Sequence, residues 1–244
     1  MKWSNSKSEN NPRHAGLRQV LFEIILKRVL MIPGMESLLG LGNHFRYPRG
    51  KLGRYLARQM NLAHESLTLW GLSKLEIASD SVILDVGCGG GKTVNKLAYL
   101  VPRGRVFGID ISHDMVEFSR NVNKKLIVQN RVQIVEGSVE KMSFPDGFFD
   151  LVTAFETYYF WPNFVETLKE IRRVLKSNGR LLLVSEMVKD GVYEVENAKL
   201  IRKAHVHLIP LRVIQNMMLS IGFVDIQVFV ENNSTWNAVL AKKP

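Results

Sequence analysis

The chain has 244 residues, which suits one domain with an extension and is long enough to bury a core. A hydrophobic fraction of 46% is ordinary for a globular protein, the single cysteine (Cys88) excludes an intrachain disulfide and a Cys-rich metal site, and no apolar run reaches the roughly 18 residues of a membrane span. The net charge of +10 is concentrated in residues 1–60, where eleven Lys and Arg are offset only by Glu9, Glu23 and Glu36; an anionic partner or a solvated basic extension would account for it.

Residues 1–16 read as a polar tail without the apolar core of a secretion signal, so a soluble, cytoplasmic protein is expected. "LRQVLFEIILKRVLMI", 17–32, has an apolar face with Arg18, Gln19, Glu23 and Lys27 on the other side, which predicts a helix ended by Pro33-Gly34. That helix either caps the fold or lies on an anionic bilayer as a peripheral membrane contact. "GKLGRYLARQMNLAHESLTLWGL" predicts a further helical stretch, with "IASD" as its exit.

After residue 80 strands and helices alternate. "SVILDVG", "GRVFGIDI", "VQIVEG", "FFDLVTAFE" and "RLLLVSEM" are strands by length and composition. Between them fall "KTVNKLAYLV", "SHDMVEFSRNVNKK" with Ser112 as N-cap, and "FVETLKEIRRVLKSNG" closed by Gly179. "PLRVIQNMMLSIG" is a helix from Pro210 to Gly222, and "FVDIQVFVE" and "TWNAVLAKK" are two final strands. This order implies a parallel, doubly wound sheet, with the last two strands paired antiparallel at one edge because no helix separates them.

The chemistry centres on "LDVGCGGGKT". A phosphate-binding P-loop would need glycine where Val86 stands, and a dinucleotide fingerprint would need glycine where Lys92 stands, so both fail. Asp85, at the strand end before the glycines, would repel a phosphate and suit a cation such as an ammonium. Asp110 closes the second strand, where a carboxylate accepts hydrogen bonds from both ribose hydroxyls. Ser138 and Val139 follow the third strand, where a nucleobase edge would lie. A ligand with an amino-acid end, a ribose and a base, but no phosphate, fits all three positions; S-adenosylmethionine is such a molecule.

"VILDVGCGGG", "VFGIDIS", "EGSVEKMSFPDGFFDLVTAFE" and "EIRRVLKSNGRLLLVSEM" resemble, in that order, the class I methyltransferases that use S-adenosylmethionine. The nearest group is the small-molecule one that includes the ubiquinone and menaquinone biosynthesis methyltransferases. The resemblance implies a Rossmann-like α/β fold: a doubly wound seven-stranded sheet with an antiparallel last strand, plus an N-terminal helical extension. It divides the chain into a tail (1–16), a helical cap (17–79) and a methyltransferase domain (80–244). It implies S-adenosylmethionine as cofactor and S-adenosylhomocysteine as product. Asp85, Gly87, Cys88 and Gly89 would surround the methionine part, Asp110 the ribose, and Ile111, Ser138 and Val139 the adenine, with Phe155 near the methionine part.

The expected reaction is in-line methyl transfer to a small, partly aromatic or apolar molecule, which needs alignment and water exclusion more than a catalytic triad. A membrane-borne quinone or lipid is the alternative acceptor, and a non-catalytic S-adenosylmethionine binder the alternative class, against which the intact Asp85, Gly87, Gly89 and Asp110 argue. In "FETYYFWPN", Tyr158 or Tyr159 is expected at the acceptor, with Phe160 and Trp161 packed against helices. Asn61 and His64 fall within one helical turn and are further catalytic candidates. His205 and His207 lack a third ligand, so no metal is expected. Nucleic acid is disfavoured: there is no N/D-P-P-Y/F cluster after the fourth strand and no basic stripe interleaved with aromatics. The sole cysteine lies in the glycine loop, which sets aside chemistry built on thiols.

Overall fold

The computed structural model describes residues 50–187, 189, 206–232 and 234–244, leaving out the side chains of residues 52 and 56. The expected tail, the 17–32 helix and His205 lie outside the described residues. The elements are α1 (Gly50–Ala63), α2 (Glu65–Leu72), β1 (Val82–Val86), α3 (Lys92–Leu100), β2 (Arg105–Asp110), α4 (His113–Val122), α5 (Lys124–Val128), β3 (Val132–Glu136), β4 (Phe149–Phe155), a 3₁₀ turn (Tyr158–Phe160), α6 (Phe164–Val174), β5 (Leu175–Ser185), α7 (Leu211–Ser220), β6 (Val224–Val230) and β7 (Asn237–Lys242). Among the described residues no helix is long and apolar enough to cross a membrane.

The seven strands form one sheet in the order β3-β2-β1-β4-β5-β7-β6. β1 to β5 run parallel, and β7 pairs antiparallel with both β5 and β6. The chain first builds outward from β1 to β3, then returns to place β4 on the other side of β1. Strand order therefore reverses between β1 and β4, and a crevice opens there at the carboxyl ends of the strands.

Both faces of the central strands are buried, as a covered parallel sheet requires. Side chains alternate: Leu84 and Val86 of β1 join the core cluster containing Phe107, Phe149, Leu168 and Ile171, while Ile83 joins the one containing Val94, Leu97 and Val116. α3 buries Val94, Leu97 and Ala98 at helical spacing and is followed by the buried Val101. α6 buries Phe164, Thr167, Leu168, Ile171 and Val174, and Asn163 caps it by accepting from the Glu166 N–H at 3.2 Å. Arg173 of α6 pins the segment after β3, donating to Met142 O at 3.0 Å and Phe144 O at 2.8 Å while pairing with Glu170.

Two boundaries differ from the sequence reading. α6 ends at Val174 rather than near Gly179, and β5 starts at once. The Arg173 and Val174 carbonyls accept from the N–H groups of Gly147 and Phe148, and Leu175 pairs with Phe149 of β4, so the chain is drawn into the sheet five residues early. The helical stretch before the sheet is broken at His64, where α1 stops and α2 starts. α1 is tied to α4 by Arg54, whose guanidinium meets Asp114 at 3.0 Å, and α2 to α3 by Glu65 and Lys96 at 2.7 Å. These contacts lay the helix pair across the crevice.

Candidate active site

A cavity of about 210 Å³ lies over the tips of β1, β2 and β4. Its floor is the loop after β1. Gly87, Gly89 and Gly91 all have positive φ, at +66°, +48° and +75°. The Gly87 and Cys88 N–H groups donate to Ile109 O of β2 at 2.8 and 3.0 Å, folding the loop toward the β2 tip. The cavity-lining glycines Gly87, Gly89 and Gly90 do different work. A β-carbon at Gly87 would sit 2.2 Å from Thr157 Oγ1, so this glycine lets the β1 and β4 loops touch. A β-carbon at Gly89 would find nothing nearer than Gly87 O at 3.9 Å, so this glycine faces open cavity. Gly90 supports the cap: a β-carbon there would meet Asn61 Nδ2 at 2.3 Å.

The two acids expected at the strand tips are neighbours across the β1–β2 pairing and both line the cavity. Asp85 is 2% exposed and accepts from Thr153 Oγ1 at 2.7 Å. Burial pushes its carboxyl up to about 7, against the Thr153 bond and with a smaller push from Asp110. Asp110 accepts from the Gly89 N–H at 2.8 Å and the Ser112 N–H at 2.9 Å, one on each oxygen. Burial raises its carboxyl too, opposed by the backbone N–H groups of Ser112, Gly89 and Ile111. A carboxylate offers about four lone-pair sites, so Asp110 keeps acceptor capacity for a further donor.

The adenine-side candidates gather at one end of the cavity. Ser138 and Val139 line it just beyond β3, and Ile111 stands at its rim 50% exposed, an apolar side chain with a face uncovered. Phe155 lines it at the end of β4. Cys88 lines it as well, yet its side chain is packed in the core beneath, near Gly108 and Val94, so only its backbone is offered.

The acceptor side departs from the sequence reading. Tyr158 and Tyr159 do not line the cavity; they are 2% and 3% exposed in the core behind it. Their hydroxyls donate inward, Tyr158 to Met187 O at 3.0 Å and Tyr159 to Glu156 Oε2 at 2.8 Å. Phe160 and Trp161 pack as expected, Trp161 being 5% exposed and stacked on Phe164 of α6, and both also line the cavity wall beside Phe155. The 3₁₀ turn over Tyr158–Phe160 buries both tyrosines and leaves Phe160 the most exposed ring of the four. Asn61 and His64 line the cavity from the cap helices as expected, beside Met60, Ala57 and Thr68. His207 is exposed, and its N–H donates to Tyr159 O at 3.0 Å.

Glu156, Thr157 and Glu186 were missed. Glu156 lines the cavity at 8% exposure with φ +55°, a left-handed conformation unusual for a non-glycine residue. Its carboxylate accepts from Tyr159 and, at 2.6 Å, from the Glu186 N–H. Burial and then Glu186 push it up to about 7; His64 and the Tyr159 hydrogen bond pull the other way. His64 Nε2 lies 3.6 Å from Glu186 Oε1. The available signal was an acid at the tip of β4, the same cue that singled out Asp85 and Asp110.

The arrangement fits S-adenosylmethionine: open space over Gly89, free lone pairs on a fixed Asp110, a buried carboxyl at Asp85 that a cation would ionise, and an uncovered Ile111. Residues 84–183 match the family described as methyltransferase domain. A sterol 4-C-methyltransferase of Caenorhabditis elegans is 26% identical over 171 residues, 70% of this chain and 49% of that protein. Demethylmenaquinone methyltransferase of Lactococcus lactis is 35% identical over 103 residues, 42% of this chain and 40% of that one. A solved structure of a Haemonchus contortus phosphoethanolamine N-methyltransferase with S-adenosylhomocysteine superposes with a TM-score of 0.68 at 18% identity, over 79% of this chain and 57% of that one. The chain spans about half the length of the curated relatives it matches. Fold, glycine loop and the match over residues 84–183 agree in likening this chain to the class I S-adenosylmethionine-dependent methyltransferases.

Proposed function

We propose that this protein methylates a small, partly aromatic or apolar molecule with S-adenosylmethionine as donor. The observation that carries the reading is the pair of carboxyls, buried Asp85 and half-buried Asp110, on adjacent strand tips beside a glycine loop with open space over Gly89. When bound, the cofactor supplies a methyl group already activated on a sulfonium. The chain's own work is to bind, align and keep water out.

In this reading Asp110 receives the ribose hydroxyls on its remaining lone pairs, and Asp85 faces the amino-acid end. Gly87, the Cys88 backbone, Gly89 and Phe155 border that end. Ile111 and Val139 flank the base, with Ser138 at its edge. The acceptor enters against Phe160 and Trp161, under Asn61 and His64 of the cap helices. Apolar walls at Ala57, Met60 and Trp161 favour an apolar body over a polar one. The acceptors named for two relatives, a sterol and demethylmenaquinone, support the same choice. The test is incubation of the full chain with methyl-labelled S-adenosylmethionine and a library of small aromatic and apolar compounds. A product one methyl group heavier, formed with stoichiometric S-adenosylhomocysteine, is expected. Tight binding of S-adenosylhomocysteine with no transfer to any compound would favour a non-catalytic binder.

A further inference from the structure

The tips of β4 and β5 carry side chains that cofactor binding leaves unused. Glu156 follows β4 and Glu186 follows β5, and the pairing of Phe155 with Val184 sets the two glutamates side by side. His64, at the break between α1 and α2, completes the group: one ligand-type atom from each of the three lies within 4.8 Å of the others. Glu156 and His64 line the cavity, with Glu186 behind them. Tyr159 Oη and the Glu186 N–H hold one Glu156 oxygen each, so the carboxylate is fixed with a lone pair left on both. Its left-handed backbone is a strained conformation kept by the surroundings.

Phe160 and Trp161 line the same cavity. A buried carboxylate close to aromatic faces favours a cation over a neutral or anionic group. We propose that Glu156 receives the methyl acceptor as an ammonium and takes its proton, so that the acceptor is an amine on an apolar, partly aromatic body. This rests on the methyl-transfer reading above. The ammonium gives one proton to the Glu156 carboxylate; the freed nitrogen lone pair forms the N–CH₃ bond as the S–CH₃ bond breaks and its electron pair stays on sulfur. The product leaves as an N-methylated ammonium, and Glu156 returns its proton to solvent. Glu186 and Tyr159 are positioning residues.

The charged and titratable groups facing Glu156 are Glu186 on β5's tip, His64 from the cap, and Tyr158 and Tyr159 from the 3₁₀ turn. Burial and Glu186 together place its ionisation near neutrality, suited to an ammonium and poorly matched to an alcohol.

The test uses the full chain saturated with S-adenosylhomocysteine, titrated calorimetrically with benzylamine, 2-phenylethylamine and tryptamine, and with the matching alcohol of each. The same compounds enter a transfer assay with methyl-labelled S-adenosylmethionine. At least one amine is expected to bind about tenfold tighter than its alcohol, the scale of one charge-assisted bond, and to be methylated. Its kcat/KM should rise with pH through about 7. Glu156→Gln should remove that limb and lower transfer about 100-fold, leaving S-adenosylhomocysteine affinity unchanged. If Glu156→Gln lowers the melting temperature, Glu156→Asp gives the comparison, with transfer reduced and the pH limb retained. Binding of S-adenosylhomocysteine with no amine preferred over its alcohol overturns the proposal alone. So does an unchanged amine affinity in Glu156→Gln, or activity lost to a chelator and restored by Mn²⁺, which would make these side chains metal ligands. Failure of S-adenosylhomocysteine itself to bind overturns both this and the methyl-transfer reading.

Discussion

Asp85→Asn separates what this carboxyl does for the fold from what it does for the ligand. The side chain is buried beside Thr153, and its carboxyl stands at about 7 instead of the 3.8 of a solvated aspartate. That gap corresponds to roughly 4 kcal/mol of extra cost for ionising it in the fold. The folded pKa is the higher one, so the folded state keeps a proton that the unfolded chain has released. Stability from Asp85 is therefore complete below about pH 4 and falls as pH rises through about 7. Asparagine keeps the shape and carries no charge. Part of the 4 kcal/mol is returned by the weaker bond to Thr153, leaving an expected gain of about 1–3 kcal/mol for the ligand-free variant at alkaline pH. For a chain of this size that is a rise of roughly 2–12 °C in melting temperature. Scanning calorimetry of both proteins at about pH 5 and about pH 9 reads the difference. With S-adenosylmethionine present the order should invert, because the cation loses its carboxylate. A variant-minus-parent difference that does not grow with pH would refute the reasoning, showing that Asp85 is solvated or paired in the free protein.

Asp110→Ala removes both the ribose acceptor and the bonds to the Gly89 and Ser112 N–H groups; S-adenosylhomocysteine affinity measured by calorimetry should fall by about 1–3 kcal/mol or more. Gly87→Ala and Gly89→Ala should diverge. Both sit at positive φ and should lose about 1 kcal/mol to backbone strain; the first also drives a β-carbon into Thr157 and should lower the melting temperature further, while the second adds a β-carbon to open cavity and should chiefly block the cofactor. Trp161→Ala should weaken acceptor binding and leave cofactor affinity near the parent value, read by the two titrations separately.

Local pattern revealed most of the sheet. The central strands are runs such as Val82–Val86, buried on both faces and bounded by turn residues, and Asp85 and Asp110 were visible because an acid at a strand tip beside glycines is unusual. Errors arose where a distant partner decides. α6 stops at Val174 because Gly147, Phe148 and Phe149 draw its end into the sheet. In "YYFW" the sequence shows four rings and no winding; a 3₁₀ turn takes both tyrosines off the wall, while Phe160 and Trp161 pack and line it at once. Glu156 and Glu186 are 30 residues apart, and only the β4–β5 pairing makes them neighbours. Gly87 lines the cavity, and what the sequence hides is that its missing β-carbon also makes room for Thr157 of another loop.

The most direct test of the central claim is a crystal structure of the full chain with S-adenosylhomocysteine. The ligand should lie across the tips of β1, β2 and β3, with its ribose hydroxyls on Asp110, its amino group toward Asp85 and its adenine against Ile111. A ligand bound elsewhere, or one whose ribose contacts neither Asp110 oxygen, would contradict the account.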